Sequence, residues 1–255
     1  MSICVLGGGW IAKNIQDYFG RDRVRVVPHS ELDLTNFQDL DHFFRNNLNF
    51  EYVILTATVG GTRLKPDPED TVEQNVRMYL NVSQFACYFK KFIWFSSGAS
   101  FNSNSRYGFS KLIQEKLWSR ESLYNSYCLR IYGCFGPTEL PTRFLSTCVR
   151  EGHVTIDNDR YFDFIHINDV CRVIEIILNY RDDRKSQLID LVYPEKYKLS
   201  ELASMLGVEC TIKDTSDENY ISMNRSLGTY IRFEPMCDIL KRFKKEINDK
   251  LNEGH

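Results

Sequence analysis
The run ICVL passes directly into GGGWIA near the amino terminus, and this junction constrains the fold more than any other stretch. An apolar run that ends at glycines and resumes with helical periodicity reads as strand, tight turn, helix. Gly7, Gly9 and Ala12 fall at the G-x-G-x-x-G/A spacing of a phosphate-binding turn. Gly7 permits the turn, Gly9 lets backbone N–H groups approach an anion, and Ala12 lets the helix pack closely on the strand. The helix keeps Ile11, Ile15, Tyr18 and Phe19 at helical spacing and meets a stop signal at Gly20. Its amino terminus faces the turn, where its dipole and unpaired N–H groups favour a pyrophosphate. Gly7, Gly9, Trp10 and Ile11 are therefore candidate contacts for a dinucleotide cofactor.

A strand–turn–helix of this kind needs parallel neighbours, and the chain supplies them. VRVV, YVILT, KFIWFS and YCLRIY alternate with helical segments predicted at 36–48, 71–89, 107–122 and 168–180. That alternation predicts an α/β fold, a Rossmann-type doubly wound parallel sheet. After Pro137 it becomes irregular, which predicts a small carboxyl-terminal lobe. Residues 1–137 are expected to form the NAD(P)-binding domain, with a helix at 168–181 packing back on it, and 138–255 the substrate-binding lobe. EPMCDILKRFKKEINDK reads as a closing amphipathic helix whose charged run is solvated. The strongest breaks, GGTRLKPDPED at 60–70 and CFGPTELPT at 134–142, are expected as loops at the carboxyl edge of the sheet.

Composition excludes several partners. Lys+Arg of 32 against Asp+Glu of 34 leaves no positive excess to grip a phosphate backbone, so no nucleic-acid partner is expected. No apolar stretch approaches the roughly eighteen residues that span a bilayer, and no basic segment followed by an apolar run opens the chain. The expectation is a cytoplasmic protein without a membrane partner. Eight cysteines are scattered, with no CxxC pair and no Cys/His cluster at zinc spacing. They read as buried free thiols in a reducing compartment, and no metal site is expected.

The second strand ends VVPHS, where an NAD-specific site usually carries an acidic residue for the ribose 2′-hydroxyl. His29 and Ser30 offer donors and no negative charge there, which suits NADP(H), while Glu31 leaves NAD(H) open. Further along, Tyr107 and Lys111 stand four apart on a predicted helix and project from one face. An ammonium beside a phenol favours the phenolate, so Tyr107 can exchange a proton with a carbonyl oxygen. Ser97 ends the preceding strand. His166 lies in an alternating apolar run and reads as a core histidine.

With these residues in place, the sequence resembles the extended short-chain dehydrogenase/reductase family, and within it the nucleotide-sugar epimerases, dehydratases and reductases. The pattern is similar to that of the GDP-L-fucose synthase group. VILTATVGG, EQNVRMYLNVSQFA, KKFIWFSS, YGFSK, LRIYGCFGP, DFIHINDV and KLSELASMLG follow that family's segments in order. The resemblance implies Ser97, Tyr107 and Lys111 as the catalytic triad, with Lys111 also holding the nicotinamide ribose. It implies Asp33 and Leu34 beside the adenine, Thr56, Ala57 and Thr58 along the ribose and phosphates, and the backbone of Ile131 to Cys134 at the nicotinamide amide. It further implies a nucleotide-sugar substrate met by Gly60, Gly98, Ala99, Arg143 and Arg160, and a two-fold homodimer built on the helices at 71–89 and 107–122, where Met78, Tyr79, Phe85, Ile113 and Trp118 exceed one apolar stripe.

The departures from that pattern narrow the chemistry. Double epimerisation uses a Cys and a His where Ala99 and Arg143 stand, and neither residue can take a proton beside a carbonyl. Dehydration needs an Asp-Glu pair where Gly98 and Ala99 stand. The family's Asn and Arg for substrate phosphates are replaced by Gly133 and Phe162, and the segment from Gly98 to Arg106 is short. What remains is hydride transfer with Tyr107 as proton relay. The expectation is an NADP(H)-dependent reductase of a keto-sugar, with a 4-epimerase retaining NAD, or a non-catalytic dinucleotide sensor, as alternatives.

Overall fold
A computed structural model describes residues 2–47, 49–62, 64–101, 104–121, 125–180, 186–214 and 219–253. The chain forms two compact units, Met1–Ile131 with Cys171–Ile189, and Tyr132–Val170 with Asp190–His255. In chain order the first stretch runs β1 (Ile3–Leu6), α1 (Trp10–Phe19), β2 (Val24–Val27), α2 (Phe37–Asn46), β3 (Tyr52–Leu55), α3 (Thr71–Ser83), β4 (Lys91–Ser97), α4 (Arg106–Arg120) and β5 (Ser126–Ile131). There follow β6 (Cys134–Phe135), α5 (Phe144–Glu151), β7 (His153–Asn158), β8 (Ile165–His166), α6 (Ile167–Asn179), β9 (Gln187–Leu191), α7 (Leu199–Met205), β10 (Glu209–Asp214), α8 (Leu227–Tyr230) and α9 (Met236–Glu253).

The main sheet has the order β2-β1-β3-β4-β5-β9, and each pairing between β1 and β5 is parallel. Strands β1, β3 and β4 are buried along their whole length, as continuous apolar runs covered on both faces must be. The chain leaves β1 toward β2 and then returns across β1 to β3, which opens a crevice at the carboxyl ends of β1 and β3. This is the Rossmann-type α/β arrangement expected from the alternation of strand and helix.

The predicted helix over 71–89 ends early, at Ser83. Ser83 Oγ donates to the Leu80 carbonyl, and the chain tightens into a 3-10 turn at Ala86–Tyr88. That turn carries Phe85 and Phe89 onto Phe44, with ring centroids 4.9 and 5.1 Å apart. Aromatic packing thus overrides helix continuation. Met78, Tyr79 and Phe85 belong to the same buried cluster, while Val72, Val76, Leu80 and Ile113 of α3 and α4 line a groove.

One buried cation in this unit is met by backbone carbonyls and aromatic rings. Lys91 is 2% exposed; its Nζ donates to the carbonyls of Ile177 and Tyr180 at the end of α6. The same Nζ lies 5.7 and 5.8 Å from the ring centroids of Tyr127 and Tyr180. A positive charge at a helix carboxyl terminus complements the negative end of the macrodipole and satisfies orphan carbonyls.

In the second unit β6 pairs in parallel with β8, and β7 with β10. Phe135 is the aromatic centre, with Phe164, His166 and Phe243 around it. His166 is wholly buried, and its Nδ1 accepts from the Asn168 N–H at 3.2 Å. That contact leaves the ring proton on Nε2, 3.6 Å from the Glu246 carboxylate. Asp163, 3% exposed, receives two bonds from Arg225 Nη2 at 2.8 and 2.9 Å and one from the Ser222 N–H at 2.6 Å. Burial pushes its carboxyl up despite these partners. Arg225→Leu leaves that carboxylate without its guanidinium, and chemical denaturation is expected to show a loss of about 3–5 kcal/mol; a change under 1 kcal/mol would mean the pair is not a buried linchpin.

Candidate active site
The glycine turn follows from its neighbours. At Gly7 φ is +115°, and a Cβ there would lie 2.7–2.9 Å from Ala57 N, Ala57 Cα and Thr56 Oγ1. No side chain fits between the ends of β1 and β3. Gly9 caps α1 with no side-chain bond to the first turn, and a Cβ there would meet nothing within 4 Å. The first-turn N–H groups of α1 therefore face open space, as an anion cradle requires.

That space belongs to a cavity of about 700 Å³. Of the sequence-derived cofactor candidates, Gly7, Gly9, His29, Asp33, Leu34, Thr56, Ala57 and Thr58 line it, together with Asp70, which precedes α3, and Glu73, Gln74 and Arg77 from that helix. Trp10, Ile11 and Ser30 are not on its wall. The Asp33 carboxylate accepts from Thr35 N at 2.9 Å and Thr35 Oγ1 at 2.7 Å, and these bonds hold it below the usual carboxylate range. Glu31 is tied to Arg25 in a half-exposed ion pair. A cavity of this volume, walled by a glycine turn, a helix amino terminus and a fixed carboxylate, fits part of a dinucleotide.

The second constellation sits on β4 and α4. Ser105 caps α4 by accepting the Gly108 N–H at 2.9 Å. Tyr107, Lys111 and Glu115 then recur every four residues along one stripe of the helix. Lys111 is 4% exposed; its Nζ donates to the Phe95 carbonyl at 3.0 Å and lies 5.6 Å from the centroid of the Tyr107 ring. Phe95 is two residues before Ser97, whose Oγ accepts from Ala99 N at 3.2 Å. Structure thus draws Ser97, Tyr107 and Lys111 to the carboxyl end of one strand. Burial lowers the Lys111 amine to about 8, and the charges of Cys128 and Glu115 act against that fall.

Five polar residues that sequence reading did not single out hold this arrangement: Arg130, Glu115, Ser96, Asn75 and Ser110. Arg130 donates to Glu115 through Nε at 3.0 Å and Nη2 at 2.7 Å, and Ser96 Oγ donates to the same carboxylate. Arg130 is 7% exposed, so this pair pins α4 to β4 and β5 from inside. Asn75, fully buried, accepts from Val59 N at 2.7 Å and donates to Val59 O and Ser110 Oγ, each at 2.9 Å. Ser110 Oγ in turn donates to the Tyr107 carbonyl at 2.7 Å. Asn75 shares the buried stripe of Thr71, Met78, Tyr79 and Val82, and a polar residue on such a stripe is its legible signal. Glu115 was legible only as the next step of the Tyr107–Lys111 spacing.

The remaining candidates fall in three places. Gly98 and Ala99 open a 3-10 turn, Gly98–Phe101, directly after β4; Asn102 and Ser103 of the short segment lie outside the described residues. Gly60 stands in the loop after β3, and Ile131 ends β5. In the second unit, Cys134 is buried in β6, and Arg160 lies 5.8 Å from the Phe162 ring. Arg143 caps α5 and sits 3.3 Å from Glu139, whose burial raises its carboxyl to about 8 against the pull of Arg143 and Arg150. At Gly133 a Cβ would lie 2.8 Å from the rings of Phe162 and Phe164, so the glycine makes room for them.

Fold and glycine turn together define a Rossmann-type α/β protein of the extended short-chain dehydrogenase/reductase class. Residues 3–191 match the NAD dependent epimerase/dehydratase family, and the chain belongs to that family. Its fold is similar to that of CJ1428, a GDP-D-glycero-L-gluco-heptose synthase from Campylobacter jejuni in the presence of NADPH. The TM-score is 0.76 and the identity 16%, over 97% of this chain and 98% of that one. Bordetella bronchiseptica WbmG in complex with NAD and UDP gives 0.78 at 15% identity over 98% and 96%. A dTDP-4-dehydrorhamnose reductase from Clostridium acetobutylicum gives 0.74 at 18% identity over 97% and 100%. No curated protein matches the sequence.

The buried amine gives a signed expectation for pH. Its folded value of about 8 lies below the ordinary 10.5, so between these limits the unfolded chain holds a proton that the folded chain lacks. The residue therefore destabilises the fold fully below pH 8 and progressively less as pH rises toward 10.5. Lys111→Met is expected to be more stable than wild type by about 3 kcal/mol at pH 7, a gap that narrows from pH 8 to 10 in urea denaturation; a gap independent of pH would refute the assignment.

Proposed function
We propose that this protein is an NADP(H)-dependent reductase of a keto-sugar, acting on a nucleotide-activated 4-keto-6-deoxyhexose. The observation that carries the reading is the Lys111 ammonium, sealed from water beneath the Tyr107 ring and beside the strand that ends in Ser97. A buried cation next to a phenol favours proton transfer to a carbonyl oxygen. When bound, a reduced nicotinamide supplies hydride to the carbonyl carbon. Ser97 orients the carbonyl oxygen, and Tyr107 delivers the phenolic proton to it as C=O becomes CH–OH. Lys111 stabilises the phenolate left behind until solvent restores its proton. The absence of acid and base at Gly98, Ala99 and Arg143 removes the added steps of dehydration and double epimerisation.

Two features support the cofactor and substrate class. Glu31 is held by Arg25, which leaves His29 facing the cavity where a 2′-phosphate would project. Structures similar in fold include a heptose synthase studied with NADPH and a dehydrorhamnose reductase. Alternatives are a 4-epimerase retaining NAD, for which the ionised Asp33 in the cavity speaks, and a sensor without turnover.

Purified protein mixed with NADPH and a panel of 4-keto nucleotide sugars is expected to consume NADPH in preference to NADH. Tyr107→Phe is expected to lower kcat by about 10²–10⁴-fold while NADPH affinity stays within twofold. Unchanged turnover in that variant would remove Tyr107 from the chemistry.

A homodimer through the α3–α4 groove of Val72, Val76, Leu80 and Ile113 belongs to the same proposal. Light scattering after gel filtration is expected to give twice the chain mass for wild type and one chain mass for Val76→Glu/Ile113→Lys. A wild-type monomer, or a variant dimer of full strength, would discard that face as the interface.

A further inference from the structure
The loop between β3 and α3, flagged in the sequence as GGTRLKPDPED, meets the catalytic helix through one carboxylate. Asp67 Oδ1 accepts the Gly61 N–H at 2.8 Å, and its Oδ2 accepts the Tyr107 N–H at 2.9 Å. Arg106 Nη1 donates to the Asp67 carbonyl at 3.2 Å. Tyr107 is the second residue of α4, so its N–H has no partner inside the helix; Asp67 takes that donor while Ser105 takes the one on Gly108.

The other jaw of this contact is backbone. Gly61 has φ +76°, and a Cβ there would lie 2.9 Å from Cε2 and Cζ of Tyr107. The phenol ring therefore rests against a main-chain surface that only glycine provides, at the ring carbon bearing the hydroxyl. At Gly60 a Cβ would come within 2.6 Å of Asp67 Oδ1, so both glycines of the pair are needed for the carboxylate and the ring to close.

We propose that Asp67 is a positioning residue for the reductase reaction: with Gly60 and Gly61 it clamps the Tyr107 ring and fixes where its phenolic proton is delivered. The inference rests on the function proposed above, in which Tyr107 is the proton donor. Asp67 touches the backbone of the helix and of the loop, and it acts on the reacting atoms only through the ring they hold. A displacement of the phenol of about 1 Å can cost some 10²-fold in rate while leaving cofactor contacts intact. The clamp belongs to unit 1 alone, and so does the dinucleotide cavity, yet Asp67, Gly60 and Gly61 are not on that cavity's wall. Rate and cofactor affinity should separate accordingly.

The test compares Asp67→Ala, Asp67→Asn, Gly61→Ala and Tyr107→Phe with wild type, using NADPH and the keto-sugar that wild type turns over. Asp67→Ala and Gly61→Ala are expected to lose 10- to 100-fold in kcat with the NADPH dissociation constant, from fluorescence titration, within twofold. Asp67→Asn keeps one acceptor oxygen and is expected to lose less than Asp67→Ala. Amide hydrogen exchange followed by NMR, which needs no turnover, is expected to show the Tyr107 and Gly61 amides protected in wild type and released in Asp67→Ala. The proposal is overturned if those amides stay protected, if kcat in Asp67→Ala stays within twofold, or if NADPH affinity falls in parallel with kcat. Tyr107→Phe separates the failures: full turnover there overturns the reductase reading, whereas loss there with full turnover in Asp67→Ala overturns the clamp alone.

Discussion
An amine that is 4% exposed keeps a positive charge only if the surroundings replace the water it has lost. For Lys111 they do so sparingly. Among the described residues one carbonyl, that of Phe95, accepts from it directly, and the carboxylate of Glu115 on its own helix is already shared with Arg130 and Ser96. The ammonium is left poised rather than neutralised. Much of the first unit answers to this constraint. The carboxyl end of β4 must lie beneath the first two turns of α4, and α4 must be fixed in rotation so that Tyr107 and Lys111 face the strand. Arg130 fixes the deep end of the helix and Asn75 its flank: the Asn75 side chain binds the loop after β3 and Ser110 of α4, and Gln114 of α4 donates to the Asn75 carbonyl.

The nucleotide end is built by a different economy of parts. There the decisive residues are those without side chains, and Gly7 and Gly9 act in opposite senses. Gly7 is glycine because β3 leaves no room beside it; Gly9 is glycine because room must remain. One shapes the protein against itself and the other shapes it against a ligand. Asp33, anchored by Thr35, supplies a fixed charge on the far wall, so the cavity has a polar orientation before anything enters it.

Sequence reading reached the parts whose geometry is local. A strand, a glycine turn and a helix succeed one another within twenty residues, and Tyr107 and Lys111 are related by helical spacing; both features need no knowledge of the rest of the chain. It also placed Ser97 correctly at a strand end. It could not see contacts that join segments far apart. Asp67 meets Tyr107 across forty positions, and nothing in PDPED distinguishes the aspartate that binds the Tyr107 N–H from Asp70. Helix α3 was drawn too long because the periodicity of apolar residues continues through Phe89, while the packing of Phe85 and Phe89 against Phe44 demanded a tighter turn. Gly133 and Phe162 read as losses of polar ligands, and the structure shows them as a matched pair, a ring and the glycine that makes space for it.

Lys90 and Lys91 are neighbours with opposite fates. Lys90 reaches an exposed ion pair with Glu51, whereas the amine of Lys91 is enclosed by two carbonyls of the α6 terminus and two tyrosine rings. An acylating reagent or an acetyltransferase meets the first lysine on the native surface and reaches the second only when the packing of the α6 terminus on β4 has opened. The dipeptide thus carries its own internal clock of unfolding, one amine recording time in solution and the other recording openings of the core.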